Sequence, residues 1–188
     1  EKEPGKYYVR CFIRNKDLLV WNKEKQMGEP EEIIRQLWVQ KLHHEYNYPL
    51  DRIAVEVSVD FGHEVHEKAA DIVVYQEDKD TPWIIIETKS PDAKDGLEQI
   101  KSYLNAKGGP IGVLSDGKLK VILYRPYPHK FENTLRDIPR AEQTIQDVFE
   151  FKETGFDKNR KTVGQFLSKG LIPKFIKELK EKGIPIPK

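Results

Sequence analysis

The most constraining stretch of this 188-residue chain is Pro82-Trp83-Ile84-Ile85-Ile86, followed without a break by Glu87-Thr88-Lys89. Three consecutive isoleucines put apolar surface on both faces of an extended strand, because successive side chains point to opposite sides. Such a strand belongs inside a sheet covered on both faces, as in α/β folds. A carboxylate directly at its end is costly to bury unless it is paired or binds a cation. The chain therefore has to build a layered domain and bring partners to Glu87.

The flanking segments supply the layers. Ile53 to Val59 alternates strictly, with Ile53, Val55, Val57 and Val59 on one face and Ala54, Glu56 and Ser58 on the other. Ala69 to Tyr75 reads as a buried strand, and the polar residues Gln76 to Asp80 make it an antiparallel neighbour of Pro82–Ile86. Strands at Ile111–Leu114 and Leu119–Tyr124 flank Ser115-Asp116-Gly117, an Asp-Gly hairpin signal, and Pro126 and Pro128 end the sheet. A helix is predicted from Pro30 to about His44, with Pro30 opening it, Glu31 and Glu32 in its first turn, and Ile34, Leu37, Trp38 and Leu42 at helical spacing. A second, from about Lys94 to Asn105, buries Leu97, Ile100 and Leu104 and stops at Gly108-Gly109-Pro110. Short strands are expected at Cys11–Ile13 and Leu18–Val20 around Asn15-Lys16-Asp17, and helices at Ala141–Phe151, Thr162–Lys169 and Ile172–Lys182. The fold class is α/β, a mixed β-sheet flanked by helices. Residues 1–29 form an N-terminal β-hairpin extension, 30–128 the core, and 129–188 a helical, basic C-terminal extension.

Composition narrows the function classes. No run of 18 apolar residues is present, which excludes a membrane-spanning helix. One cysteine, Cys11, excludes a disulfide framework and a Cys-based zinc site; in an apolar strand it reads as a core residue. No secretory leader is legible and the chain does not begin with Met, so it reads as a piece of a longer protein in a reducing, cytoplasmic setting. The net charge of +1 hides an uneven distribution: Lys158 to Lys188 carries nine Lys/Arg against Glu178 and Glu181, leaving the remainder acidic. A basic, lysine-rich end suits either a solvated helix or contact with phosphates or a partner domain. No Gly-rich phosphate loop ending in Lys-Ser/Thr occurs, so the chain is not itself an NTPase motor.

Two acids carry the chemistry. Asp71 interrupts Ala69-Ala70-Asp71-Ile72-Val73-Val74, and Glu87 ends the isoleucine strand. Lys89, two residues on, leaves the same face as Glu87, and hairpin pairing can set Asp71 across from them. Two carboxylate oxygens plus water suit Mg²⁺ rather than zinc, and a lysine beside the metal can orient a water or offset charge on a phosphate. The plainer alternative is a cross-strand ion pair of Asp71 or Glu87 with Lys89. His63 and His66 flank Glu64 in a polar connection without a third nitrogen or sulfur ligand nearby, and His43-His44 reads as helix surface.

Ala70-Asp71 followed by Glu87-Thr88-Lys89 resembles the PD-(D/E)xK nuclease signature, with Ala70 in place of the proline. The wider frame, from Pro30-Glu31-Glu32-Ile33-Ile34-Arg35-Gln36 through Gln99-Ile100-Lys101-Ser102-Tyr103 to Ser115-Asp116-Gly117, is similar to the N-terminal nuclease domain of type I restriction enzyme R subunits over about Pro30 to Tyr124. The resemblance implies a restriction-endonuclease-like fold and a divalent-metal-dependent endodeoxyribonuclease. It gives Asp71 and Glu87, with the backbone carbonyl of Thr88, the metal, Mg²⁺ or Mn²⁺ in its place. Lys89 would position or activate the attacking water. An acid on the first helix would complete the metal site: Glu31 is the choice here, with Glu32 the close alternative, although Glu31 at i to Arg35 at i+4 is also an ordinary helix ion pair. Gln99 and Tyr103 match a Gln-x-x-x-Tyr motif of the RecB-like branch and share one helical face. The partners implied are double-stranded DNA and other domains or subunits of a restriction system (motor, methylase, specificity). Two alternatives remain open: the cleavage domain of a restriction–modification fusion or repair nuclease, and a non-catalytic DNA-binding or assembly module with the same fold.

Overall fold

The computed structural model describes residues 3–149 except 62–63, 91–95 and 119, and of residues 60, 61 and 64–67 the backbone alone. Two sheets share this region. The first is a three-stranded antiparallel sheet of β1 (Lys6–Cys11), β2 (Lys16–Asn22) and β3 (Met27–Gly28). The second has six strands in the order β4 (Ile53–Phe61), β5 (Glu64–Tyr75), β6 (Pro82–Thr88), β7 (Ile111–Ser115), β8 (Lys120–Tyr127) and β9 (Lys130–Glu132). Every neighbouring pair in it is antiparallel except β6–β7, which is parallel. A parallel pair needs a crossover, and α2 (Leu97–Lys107) lies on it. The other helix, α1 (Pro30–His44), precedes the large sheet. This is a mixed α/β architecture of the restriction-endonuclease-like kind.

The isoleucine strand behaves as its composition requires. Ile84, Ile85 and Ile86 are fully buried. Ile84 and Ile86 join Ile72, Val74, Ile111 and Val113 in a core under α1, where Ile34, Trp38, Val39 and Leu42 meet them. Ile85 faces the other way, with Val73, Ala70 and Leu123, and is covered by Ile100, Tyr103 and Leu104 of α2. Each such side chain withdrawn from water contributes about 1.5–3 kcal/mol, so the two helices are held on opposite faces of the sheet by the same strand. Gly112 of β7 permits the close approach of α2: a Cβ there would lie 2.6 Å from Leu104 Cδ1 and 3.0 Å from Ile100 Cγ1.

Some boundaries differ from those read in the sequence. Phe12 and Ile13 lie in the β1–β2 turn, which closes at Asn15 in the left-handed region (φ 52°), and β3 is a strand too short to announce itself. The sheet does not end at Pro126. β8 runs on to Tyr127 and pairs with β9, and the register shifts between Tyr124 and Tyr127, so the missing N–H of Pro126 falls at an irregularity of the ladder. No helix spans 141–149. Those residues hold one 3₁₀ turn, Ile145–Val148, closed by reciprocal Thr144 and Asp147 bonds, and Phe149 bridges back to Leu135. The apolar spacing imitates a helix, but Val148 joins Leu135 and Ile138 in the core after that single turn, and Phe149 packs edge-on to Tyr124 at 5.2 Å. The helices expected at Thr162–Lys169 and Ile172–Lys182, the rest of the basic end, His63 and the side chain of His66 lie outside the described residues. Among those described, no helix is long and apolar enough to cross a membrane.

Candidate active site

The site forms where β5 and β6 run out of their apolar register. Ile72 pairs with Ile86, and one step further the same register sets Asp71 against Glu87. Asp71 is almost covered, its side chain 13 % exposed, and both its oxygens are engaged. Oδ2 accepts from the Thr88 backbone N–H at 2.7 Å and the Thr88 hydroxyl at 2.9 Å; Oδ1 accepts from Arg35 of α1 at 2.5 Å. Thr88 is itself buried at the parallel β6–β7 junction, opposite Ser115.

Glu87 is 3 % exposed. Its Oε1 lies 2.8 Å from Lys89 Nζ, and its Oε2 is buried with no hydrogen-bond partner. Burial pushes this carboxyl up to about 7, and the charge of Asp71 adds to that effect, against the pull of Lys89. Lys89 also donates to Gln99 Oε1 at 2.8 Å, and the Gln99 amide donates to the Tyr103 hydroxyl at 2.6 Å. The i, i+4 spacing on α2 thus delivers a relay of Glu87, Lys89, Gln99 and Tyr103 on one face of the sheet. Burial raises the Tyr103 phenol above its ordinary range; the hydrogen bond from Gln99 opposes this and the nearby Glu87 charge adds to it. The phenol therefore stays a neutral donor and acceptor at neutral pH.

A second network of charge meets Asp71 from α1. Arg35 donates to Glu32 at 2.5 Å, to Glu56 at 2.8 Å and to Asp71. Burial works against its charge, but Asp71, Glu32 and Glu56 outweigh that and hold the guanidinium above its ordinary value. Gln36 donates to the second Glu32 oxygen at 2.8 Å, and Arg14 of the β1–β2 turn pairs with Glu56 and lies 3.5 Å from Glu32. Glu56 sits in β4 at φ 53°, a left-handed conformation that a non-glycine residue holds only when its surroundings determine it. That twist re-aims its carboxylate toward both arginines.

The helix acid in this cluster is Glu32, 4 % exposed, and not Glu31, which is half-buried and makes none of these bonds. Arg35 pairs at i−3 with Glu32 instead of at i−4 with Glu31. Asp71, Glu87, Thr88, Lys89, Gln99 and Tyr103 are all brought together. Arg35 was read from the sequence only as a helix ion-pair partner of Glu31, and Glu56 and Arg14 were given no role in the site; the available signal was an acid, Glu56, on the polar face of an alternating strand. Cys11 is fully buried and accepts contacts at 3.4 Å from Arg14, as suits a core residue.

The donor set is oxygen-rich and suits a hard divalent cation, and the orphaned Glu87 Oε2 is the one carboxylate oxygen of Asp71 and Glu87 without a donor. Among the described residues, however, no three His, Cys, Asp or Glu side chains stand grouped at metal-holding distance, and one Asp71 oxygen is bonded by Arg35. No curated protein and no solved structure matches the chain. A family model described as type I restriction enzyme R protein N terminus matches residues 30–139, more than half of the chain, and spans both helices and every strand that carries a site residue except the Arg14 turn. The chain belongs to the family of type I restriction enzyme R protein N-terminal regions.

Proposed function

We propose that this domain is a divalent-metal-dependent endonuclease that hydrolyses phosphodiesters in double-stranded DNA, working in the cytoplasm with the motor, methylase and specificity components of a type I restriction system. The observation that carries the proposal is the buried Glu87 carboxylate. One oxygen is bound by Lys89 and the other has no donor, at the end of a strand whose neighbour presents Asp71. A buried charge left half-satisfied is costly and is explained by a cation that joins it.

Asp71, Glu87 and the backbone carbonyl of Thr88 would hold Mg²⁺, or Mn²⁺ in its place. When bound, the ion supplies Lewis acidity to the phosphate and lowers the pKa of a coordinated water. The protein's own groups do the rest. Lys89 presents an ammonium 2.8 Å from Glu87 Oε1, where it can orient the attacking water and offset charge developing on the phosphate oxygens. Gln99 and Tyr103 fix the direction of that ammonium. Thr88 fixes the rotamer of Asp71 with two bonds to one oxygen. Arg35 keeps the other Asp71 oxygen compensated and has to release it for the carboxylate to turn to a metal.

Supercoiled plasmid incubated with the full chain and Mg²⁺ or Mn²⁺ tests this. Nicking is expected, with Asp71→Asn and Lys89→Ala each losing it by at least a hundredfold, the scale of a general-acid/base or charge-stabilising group. Variants that nick at the unmutated rate refute the assignment. Calorimetry with Mn²⁺ that shows no heat dependent on Asp71 and Glu87 favours the non-catalytic module.

A further inference from the structure

A second concave surface begins where the candidate site ends. Ser115 closes β7, and its carbonyl accepts the Lys89 backbone N–H at 2.9 Å. From there a groove of about 290 Å³ opens between α1 and the β7–β8 turn. Leu37 and Trp38 form its apolar side, and Lys41, Lys118 and Lys120 stand around it, with no carboxylate in its lining. Gly117, at φ 87°, makes the turn tight enough to lie against Ile34.

Two of these lysines, Lys41 and Lys120, stand in solvent-exposed ion pairs. Lys41 pairs with Glu45 at 3.4 Å and Lys120 with Asp137 at 2.8 Å, both through side chains at least a third exposed. Ion pairs in such positions contribute little and exchange readily for another anion. The Lys41 ammonium is also held 5.9 Å from the Trp38 and Tyr46 rings, which keeps it over the groove. The cleft on the other side of the α1 N-terminus is the contrast. At about 410 Å³ it is larger, but Glu29, Glu32 and Glu56 line it beside Arg14 and Lys25, so it offers a phosphate chain no excess of positive charge.

Geometry relates the lysine groove to the site. Along α1, Lys41 lies nine positions beyond Glu32, about 14 Å at 1.5 Å per residue. One strand of B-DNA covers that distance in about four phosphates at 3.4 Å each. We propose that the α1/β7–β8 groove is a docking surface for the sugar–phosphate backbone of the DNA flanking the cleavage point, its lysines neutralising phosphates within a few nucleotides of the site. This rests on the nuclease reading and adds to it which face of the domain the duplex follows.

The test is binding of a fluorescein-labelled duplex to the full chain in EDTA, read by anisotropy over a series of KCl concentrations. Neutralising a phosphate contact changes the slope of log K against log salt by about 0.9. Lys41→Gln/Lys118→Gln is therefore expected to flatten the slope by about 1.8, while Lys25→Gln in the acidic cleft leaves it unchanged. Between 50 and 200 mM salt the flattening amounts to about a twelvefold smaller loss of affinity. Equal thermal melts of the variants and the unmutated chain establish that the fold is kept. Double-variant slopes equal to the unmutated one, in a chain that binds and nicks DNA, overturn the groove alone. A chain that nicks nothing and shows no salt-dependent duplex binding overturns both the groove and the nuclease reading.

Discussion

Glu87→Gln is the perturbation whose sign separates a site from a structural ion pair. In the folded chain this carboxyl is pushed up to about 7, first by burial and then by Asp71, against an ordinary value of 4.5. Between those two values the folded state keeps a proton that the unfolded chain has lost. Stability therefore falls as pH rises through that window, and the loss is complete above about 7. The gap corresponds to about 3 kcal/mol. A glutamine carries no charge at any pH and still offers Lys89 a carbonyl, while Gln99 remains as the second acceptor. Urea melts of both proteins at pH 4.5, 6 and 8 are the assay. The expected result is near-equal stability at pH 4.5 and an advantage of about 3 kcal/mol for Glu87→Gln at pH 8, or about 6–12 °C in melting temperature for a domain of this size. Mn²⁺ should raise the melting temperature of the unmutated chain at pH 8 and leave the variant unmoved, since the cation compensates the same charge. A variant less stable at pH 8, or a difference that does not change with pH, refutes the argument: Glu87 would then be a carboxylate fully stabilised by Lys89.

Two further outcomes follow from the packing. Arg35→Met leaves the Asp71 charge buried without its cation and Glu32 with Arg14 alone, so a loss of about 3–5 kcal/mol is expected at neutral pH; urea melts measure it. Gly112→Val drives a side chain into Leu104 and Ile100, and is expected to cost about 1–3 kcal/mol in denaturant melts. The same variant should slow nicking, because α2 also carries Gln99 and Tyr103.

The layered fold was legible because its signals are local. The alternation of Ile53–Val59, the unbroken apolar run at Ile84–Ile86 and the Asp-Gly turn at 116–117 each specify their element without knowledge of what packs on it. What failed was local spacing with a tertiary competitor. Ile145, Val148 and Phe149 recur as on a helix, yet Val148 reaches the core and Phe149 reaches Tyr124 after one 3₁₀ turn. Pro126 reads as the end of a strand, yet a ladder irregularity absorbs it.

The site divides along the same line. Asp71, Glu87, Lys89, Gln99 and Tyr103 sit on period-2 and period-3.6 patterns, so their common face could be counted out. Glu32 could not, because α1 buries two sides. Of the stripe the spacing reveals, Ile34, Trp38 and Leu42 meet the large sheet while Leu37 stays exposed, and Glu31 lies on that stripe. Glu32, Arg35 and Gln36 are buried on another side, where the β1–β2 turn brings Arg14 against Glu32 and Glu56. A helix covered from two directions has no single polar face, and the acid it contributes inward is chosen by the second cover. The residues that join the hairpin turn to the large sheet are thus Arg14 from that turn, Glu56 from a left-handed position in β4, and Arg35 between them, read from the sequence only as a partner of Glu31. Arg35 alone carries this network to Asp71, the residue proposed to hold the cation. The N-terminal strands are therefore joined to the chemistry through Arg14, although the family match begins only at residue 30.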